Sequence, residues 1–443
     1  MILVNASVST QSHHITGEVR DIMAGFFGDT FAALKHRNFR YWWFGQCVSL
    51  MGTWVQRTAQ IWLVYSMTKS PVLLGLLGVF QSGPVLLLSI PAGVYVDRFP
   101  KRRMIILTQI MFTLQAFALA ALTWSGKAQY WQILVLATVF GITTAFDNPG
   151  RQSFYIELVG KEDLLNAISL NSTIVNLAKI VGPSIAGVVM ATLGPGPCFF
   201  LNGVTFLAVI YGLTRITVDG RPKVDLTSKG KVWAQAWQGL DYIWRNKTLR
   251  LTAALVTIMS VFSMNTNVII PVFTDKVLKQ GVTQYGVLMS MSGVGALLGA
   301  LVMASRSKYG LKGSFLIWTT LSVCALQVMV SFSTSLALAG LLIALIGAFN
   351  IAFSNTANST LQLGTEDDFR GRVMAFYMLV HNGATPLGNA FAGGMMEHFG
   401  APAGYLSGGL ISFVLVTALL LTQRQTLRTT LLANAGADGQ RGG

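Results

Sequence analysis

The feature that most limits what this chain can fold into is a series of long apolar segments separated by short polar breaks. A helix needs about 20 apolar residues to cross the hydrocarbon of a bilayer. Twelve segments approach or exceed that length: residues 39–65, 72–96, 104–124, 130–146, 167–193, 198–216, 251–273, 285–305, 314–333, 336–353, 373–396 and 403–421. The pattern therefore predicts an all-α membrane protein with twelve transmembrane helices.

Composition agrees, because 52% of the residues are hydrophobic and only 11% are charged. An average soluble protein carries about 25% charged residues. A chain this apolar cannot cover a surface that faces water. Lipid is the expected solvent, and lipid forces the backbone polar groups into helices or a closed barrel.

The basic residues are distributed unevenly, and this predicts the orientation of the helices. Of the 32 Lys and Arg residues, 26 fall in segments on one side of the predicted membrane, 4 on the other, and Arg57 and Lys179 within spans. Positively charged loops stay cytoplasmic, so both termini are predicted to be cytoplasmic. The net charge of +15 is then a topology signal rather than a nucleic-acid footprint.

The longest break divides the chain into two blocks of six spans. The predicted parts are a cytoplasmic N-terminal segment (1–38) without a cleavable signal, a first bundle (39–216), a linker (217–250), a second bundle (251–421) and a cytoplasmic tail (422–443). Trp233 and Trp237 stand four residues apart in the linker, which favours an amphipathic interfacial helix over a flexible connector. Glu162-Asp163 with Gly182-Pro183 is weakly echoed by Glu366-Asp367 with Thr385-Pro386, which indicates a duplicated six-helix unit.

Motifs for other classes of protein are absent from the sequence. The cysteines Cys47, Cys198 and Cys324 lie far apart without metal-ligand spacing, so we expect buried thiols, no disulfide framework and no metal site. There is no Walker loop, no HExxH pair and no GxSxG elbow, so neither a nucleotide-driven pump nor a hydrolase is indicated. No cofactor is predicted, and an enzyme is not expected.

The loop between the second and third spans carries the most specific motif, formed by Gly93, Asp97, Arg98, Lys101, Arg102 and Arg103. Its glycine is expected to allow close helix packing, its aspartate to face the positive end of another helix, and its basic cluster to hold the loop at the inner leaflet. This pattern resembles the signature loop of the major facilitator superfamily. The resemblance implies two six-helix bundles and a gating role for Asp97 against the start of the eleventh span, near Arg370, Gly371 and Arg372.

Further motifs resemble a narrower branch of that superfamily. Residues 37–40, 52–57, 148–152 and 370–374 are similar to the secretion-effector group that contains enterobactin-exporter-like proteins, and the resemblance extends over about residues 31–421. The fifth-span pattern of Gly182, Pro183 and Gly187 is similar to that of exporters, with Gly293, Gly295 and Gly299 as expected packing partners. The arginine usual in the fourth span has no counterpart before Gly141, so its proton-relay role is not carried over.

Charged and polar residues inside the spans are candidates for the transport site, because charge in hydrocarbon is costly. Arg57, with Gln56 and Gln60 beside it, either faces a cavity and attracts an anionic or polar substrate or forms an ion pair or snorkels. Lys179 is expected to pack on a backbone carbonyl near the Gly182-Pro183 kink, with a substrate role as the alternative. Softer candidates are Asn265, Asn267, Asn355 and His381.

Proton coupling, which is usual in the superfamily, requires a carboxylate, and Asp147 is the best candidate. Arg151 stands one turn later, so a structural ion pair between the two is the alternative. The predicted function is a monomeric exporter of a siderophore or drug-like amphiphile in the bacterial inner membrane, in contact with lipids. An importer on the same fold and a non-transporting membrane enzyme or sensor remain as alternatives.

Overall fold

The computed structural model describes residues 31–96, 98–220, 232–306 and 313–422. A short 3-10 turn (Ala32–Lys35) precedes the first long helix. The helices of the first half are α1 (Arg37–Thr68), α2 (Pro71–Val96), α3 (Lys101–Trp124), α4 (Tyr130–Val159), α5 (Leu164–Leu193) and α6 (Gly196–Arg215). The helices that follow are α7 (Val232–Arg245), α8 (Lys247–Phe262), α9 (Thr266–Lys276), α10 (Val282–Arg306), α11 (Gly313–Ser331), α12 (Leu336–Leu363), α13 (Asp367–Gly383), α14 (Thr385–Phe399) and α15 (Ala403–Thr422).

Ten helical stretches of the described chain are long and apolar enough to cross a membrane, which confirms a multi-pass helical protein. They coincide with ten of the twelve predicted spans. The other two predicted spans fall on α1 and on the pair α13 and α14. At 32 residues α1 is about 48 Å long, but Gln56, Arg57 and Gln60 make its middle polar.

Four predicted spans differ in length or continuity from the helices observed, and one of them is the span 336–353, which α12 continues by ten residues. Helix α4 continues 13 residues beyond residue 146, because Asp147 and Arg151 pair within the helix and the polar stretch stays helical. The predicted span 251–273 is broken between α8 and α9, where the Asn265 side chain donates to the Val261 carbonyl. The predicted span 373–396 is broken at Ala384, and Pro386 lies in the first turn of α14, where a missing N–H is tolerated.

The two halves of the chain meet along two helix pairs. Helix α5 packs on α10, and α2 packs on α14. In the numbering of the predicted spans, span 5 contacts span 8 and span 2 contacts span 11. Each of these contacts becomes the other when every span is replaced by its counterpart in the other half, six spans away. This arrangement is the one a duplicated six-helix unit would produce.

The α5–α10 contact depends on glycines. A Cβ at Gly286 would lie 2.5 Å from the carbonyl oxygen of Pro183 and 2.9 Å from the Cα of Gly187. Any side chain here would separate the two backbones, as is usual where membrane helices pack closely. Nearby, the hydroxyl oxygens of Ser184 and Ser290 are 2.7 Å apart across the same pair.

The linker helix α7 packs against the start of α13. Tyr242 stacks on Phe369 with 4.5 Å between ring centroids, and a Cβ at Gly239 would meet Arg372 at 2.9 Å. The predicted helix in the linker is therefore present, although the side chains of Trp233 and Trp237 lie outside the described residues.

The cysteines follow the expectation in part. Cys198 and Cys324 are buried, whereas Cys47 is only partly buried.

Candidate functional site

A cavity lies where the two halves meet. One part, of about 190 Å³, is lined by α1, α2 and α4, and another, of about 250 Å³, is lined by helices of both halves. A small space of about 20 Å³ shares lining residues with each. We call the three together the central cavity; its polar and aromatic lining includes Trp54, Arg57, Gln60, Gln81, Ser82, Lys179, Asn267, Asn350 and His381.

Two cations share one indole ring in this cavity. The guanidinium carbon of Arg57 lies 5.2 Å from the ring centroid of Trp54, and the ammonium nitrogen of Lys179 lies 5.9 Å from it. No carboxylate of the described residues forms a salt bridge with either cation. Cation–π contact therefore stabilises both charges without neutralising them.

Several polar atoms of the cavity have no hydrogen-bond partner among the described residues. They include Nε of Arg57, both amide atoms of Gln60, Oδ1 of Asn350 and Nδ1 of His381. Gln60 is only 1% exposed. Because buried polar groups in folded proteins are nearly always paired, these atoms mark a place for a bound molecule or for water.

The predicted site residues separate into two groups. Arg57, Gln60, Lys179, Asn267 and His381 line the central cavity. Lys179 therefore faces the cavity rather than only packing near the kink.

The other amide candidates hold helices together or lie elsewhere. Gln56 donates to Gln115 at 3.0 Å and accepts from Asn202 at 2.9 Å, so it ties α1 to α3 and α6 although its residue also lines the cavity. Asn265 is buried at the break between α8 and α9. Asn355 is exposed on α12 and lines none of the cavities described.

Asp147 and Arg151 form a separate buried network within the first half. Asp147 accepts from the Thr108 hydroxyl at 2.6 Å and from the Gln109 amide at 3.1 Å, and its other oxygen pairs with Arg151. Arg151 also donates to Gln46 and lies over the ring of Trp42 at 5.4 Å. This network joins α1, α3 and α4 beside a further space of about 310 Å³, which shares Thr53, Phe140 and Thr144 with the first part of the central cavity.

Polar contacts between the halves close the molecule at the end where α1 passes into α2. Asp275 accepts from the Tyr65 hydroxyl at 2.8 Å and from Lys69 at 3.3 Å. Glu397 accepts from the Ser70 hydroxyl at 2.9 Å and from the backbone N–H of Val72 at 3.4 Å.

Aromatic rings continue this seal towards the cavity. Trp62 stacks on Tyr285 with 5.1 Å between centroids. We call these two carboxylate clusters and the ring pair the closed end.

The loop signature is only partly visible, because Asp97 lies outside the described residues. Lys101 is 2% exposed and pairs with Glu157 at 3.2 Å. Arg102 donates to the carbonyl oxygens of Leu213 and Thr214 and pairs with Asp219, so it caps the end of α6. These two basic residues clamp helices of the first half, whereas Arg98 and Arg103 are exposed.

Close packing at Gly93 stays a prediction. A Cβ there would meet no atom of the described residues within 4 Å.

The glycines of the fifth span have different partners from one another. A Cβ at Gly182 would lie 2.6 Å from the Cβ of Trp54 on α1, whereas Gly187 faces Gly286 on α10. Of the expected partners, Gly293 meets α5, but Gly295 and Gly299 face Ala344 and Ala348 of α12. The expectation was therefore right for Gly293 and wrong for the other two.

Sequence reasoning missed several functional candidates. The sequence pattern indicates Trp54 only as part of a motif, and it does not indicate Tyr65, Asp275 or Glu397. Asp275 and Glu397 stand at the ends of predicted spans, where placing a charge costs little free energy. A charge at such a position therefore does not by itself indicate a function. The signal that was present is their position: both are acidic residues on the side with few basic ones.

The chain resembles proteins of known class over most of its length. A sequence model for a family described as "Transmembrane secretion effector" matches residues 28–436. The chain is 27% identical to the Staphyloferrin A transporter of Staphylococcus aureus (strain NCTC 8325 / PS 47), over 82% of this chain and 90% of that protein. It is 27% identical to the multidrug efflux pump Tap of Mycolicibacterium fortuitum, over 83% and 91% of the two chains.

Solved structures with a similar fold are transporters as well. The nucleoside transporter NupG matches with a TM-score of 0.70 at 10% identity, over 87% of this chain and 98% of that chain. A bacterial homolog of the human lysosomal transporter Spinster, inward-facing and unoccupied, matches with a TM-score of 0.65 at 14% identity, over 87% and 95%. At these identities the likeness concerns the fold.

Proposed function

This chain belongs to the transmembrane secretion effector family of the major facilitator superfamily, and from that premise we propose that it exports a small organic solute by alternating access. Its family and relatives are transporters, which confirms the expectation that it is not an enzyme. The proposed solute is a siderophore or a drug-like amphiphile.

The observation that carries the proposal is the central cavity between the halves, closed at one end. Both halves supply its lining, and the closed end joins them through Asp275 and Glu397. Two bundles that rock about such a cavity expose it to one side at a time. The helix pairs α5 with α10 and α2 with α14 are the contacts about which they would rock.

The proposed architecture is twelve spans in two six-helix bundles of a monomer in the bacterial inner membrane, surrounded by lipid. Helices α1 and the pair α13 and α14 supply the two spans beyond the ten apolar ones. With both termini in the cytoplasm, the closed end is periplasmic and the conformation is inward-facing. The distribution of Lys and Arg supports this orientation.

Export is preferred over import for two reasons. The Gly182-Pro183 pattern of α5 resembles that of the superfamily's exporters, and a relative is named an efflux pump. Coupling to protons completes the proposal, since no nucleotide-binding loop is present in the sequence to supply another energy source.

The test is uptake into everted membrane vesicles, in which an exporter accumulates its substrate. A panel of radiolabelled siderophores and antibiotics is offered to energised vesicles with and without the protein, and a protonophore is then added. We expect accumulation of at least one compound that the protonophore abolishes. Lys127→Gln, at an exposed turn far from the cavity, serves as the matched control and should transport normally.

Two results would contradict the proposal. Loss of preloaded compound from everted vesicles would make the protein an importer. Accumulation that persists with the protonophore would remove proton coupling.

A further inference from the structure

We propose that the central cavity binds a multivalent organic anion, held by Arg57 and Lys179 around the indole of Trp54; the inference rests on the proposed function and names its substrate class. The alternatives among drug-like solutes are neutral and cationic compounds. The cavity distinguishes the three by charge.

The charge balance of the cavity points to an anion. Two cations line it and no carboxylate of the described residues pairs with them. By comparison, Arg151 is paired with Asp147 in the same half of the protein. A cation in the hydrophobic interior without a counter-ion is costly. A bound anion supplies the missing negative charge.

The two cations are held in place rather than free to swing away. Both lie over the Trp54 ring. Trp54 can pack against α5 because residue 182 is a glycine; a Cβ at that position would lie 2.6 Å from the Cβ of Trp54. Lys179 precedes Gly182 by about one turn of α5, on the same face of the helix. The glycine of the kink motif thus brings α5 close enough to α1 for both charges to meet one indole.

The ligand carries more than one negative charge, because two cations without a carboxylate partner need two negative charges to balance them. Arg57 is on α1 and Lys179 is on α5. One anionic group satisfies the guanidinium, which prefers a flat carboxylate-like partner, and a second satisfies the ammonium. The repulsion between two unneutralised cations disfavours any positively charged ligand.

Neutral polar groups complete the site from the other half. Asn267, Asn350 and His381 line the same cavity, and the Asn350 oxygen and His381 Nδ1 have no partner among the described residues. They can bond hydroxyl or amide groups of an organic anion, which chloride does not have. The first half of the protein therefore binds the charged groups of the ligand, and the second half binds its uncharged polar groups.

The experiment measures binding to purified protein in lipid nanodiscs by calorimetry, with tricarballylate as the probe. Its trimethyl ester has the same skeleton without charge, and choline and chloride test a cation and a simple anion. We expect tricarballylate to bind at least tenfold more tightly than the other three. Equal binding of the ester or of choline, or chloride competing at the same concentration as tricarballylate, overturns the proposal.

Variants assign the binding to the two cations. Arg57→Gln and Lys179→Gln should each weaken tricarballylate about tenfold or more, because each removes one charge-assisted interaction. Arg57→Lys keeps the charge and should retain more affinity than Arg57→Gln. The control Lys127→Gln removes a cation outside the cavity and should bind as the parent does. An equal loss in the control, or no loss in either glutamine variant, contradicts the assignment.

If a glutamine variant does not fold, the comparison of acid with ester on the parent protein still decides the question. The outcomes also separate this inference from the proposed function. Anion binding without accumulation in everted vesicles would contradict export but support the anion site. Accumulation of a neutral or cationic drug without anion binding would support export but contradict the anion site.

Discussion

Charged side chains within the helices fall into two kinds that the sequence does not distinguish. Arg57 and Arg151 both stand in predicted spans or at their ends, yet only Arg151 has a carboxylate partner. Asp147 lies one turn before it and accepts from Thr108 and Gln109 as well. These contacts tie α3 to α4 through Asp147, so the geometry supports the structural ion pair over a proton carrier.

The first prediction concerns this buried pair. Asp147→Asn leaves Arg151 without its counter-ion, and breaking a buried pair in this way costs about 3 kcal/mol or more. We expect the apparent melting temperature of the detergent-solubilised protein to fall by several degrees. The control is Asp219→Asn, which removes an ion pair with Arg102. Because the Asp219 side chain is 56% exposed, this substitution should lower the free energy of unfolding by less than about 1 kcal/mol.

The alternative role of Asp147 gives a different result. If Asp147 carries the transported proton, Asp147→Asn will melt as the parent does but will not accumulate substrate, with or without a protonophore. A variant that melts normally and has lost proton-driven accumulation would therefore contradict the structural assignment.

At the scale of helices, small residues decide which elements touch. The sequence shows many glycines in the spans, but it does not show which partner each one faces. Gly182 packs against Trp54 of α1, Gly286 packs against the backbone of α5, and Gly295 packs against α12 instead. Each role depends on which helix passes closest, and this is a property of the packed bundle.

The second prediction tests the α5–α10 contact. Gly286→Ala places a Cβ within 2.5 Å of the Pro183 carbonyl oxygen, so the helices must separate. Overpacking of this kind costs about 1–3 kcal/mol. We expect a lower melting temperature and a slower rate of transport in everted vesicles.

The matched control for this change is Gly83→Ala on α2. A Cβ there meets no atom of the described residues within 4 Å, so the substitution should be neutral or slightly stabilising. If Gly286→Ala behaves like Gly83→Ala, close approach at this point is not required.

For the molecule as a whole, the balance between conformations depends on the closed end. Asp275 and Glu397 of the second half accept hydrogen bonds from Tyr65, Lys69 and Ser70 of the first. The side chains of Lys69 and Asp275 are partly exposed, at 53% and 27%. Such ion pairs contribute about 1 kcal/mol or less, which is weak enough for the end to open in the proposed transport cycle.

The third prediction is that Asp275→Asn shifts the population towards an open form. Loss of about 1 kcal/mol changes the ratio of closed to open molecules about fivefold. Leu193 and Phe399 are exposed and lie at this end of the two halves. Spin labels on Leu193→Cys and Phe399→Cys report the distance between the two positions by double electron–electron resonance in nanodiscs. We expect a longer distance to gain population at the expense of the short one.

Adding Glu397→Gln should increase that effect, since it weakens the second cluster. Glu162→Gln, an exposed carboxylate at the opposite end of α4, is the control and should leave the distances unchanged. An unchanged distribution in the double variant would show that the rings of Trp62 and Tyr285, rather than the carboxylates, keep this end closed.

Much of the architecture follows from local properties of the chain. Apolar runs of about 20 residues imply helices in a bilayer whatever their neighbours, and the loop motif with its basic cluster indicated the family before any contact was known. The predicted orientation likewise comes from the positions of Lys and Arg along the chain. These signals are local, because hydrophobic burial in lipid and the cost of moving charge across it act on each segment separately.

Which polar residues share a site is decided by tertiary packing. The sequence places Arg57 and Lys179 more than 120 residues apart, and only the approach of α5 to α1 at Gly182 brings both to the Trp54 ring. The same packing gives Asp147 partners of its own, beside a space that adjoins the first part of the central cavity. The physical reason is that electrostatic pairing and helix contact depend on distance in space, and the sequence does not record which faces of the helices meet.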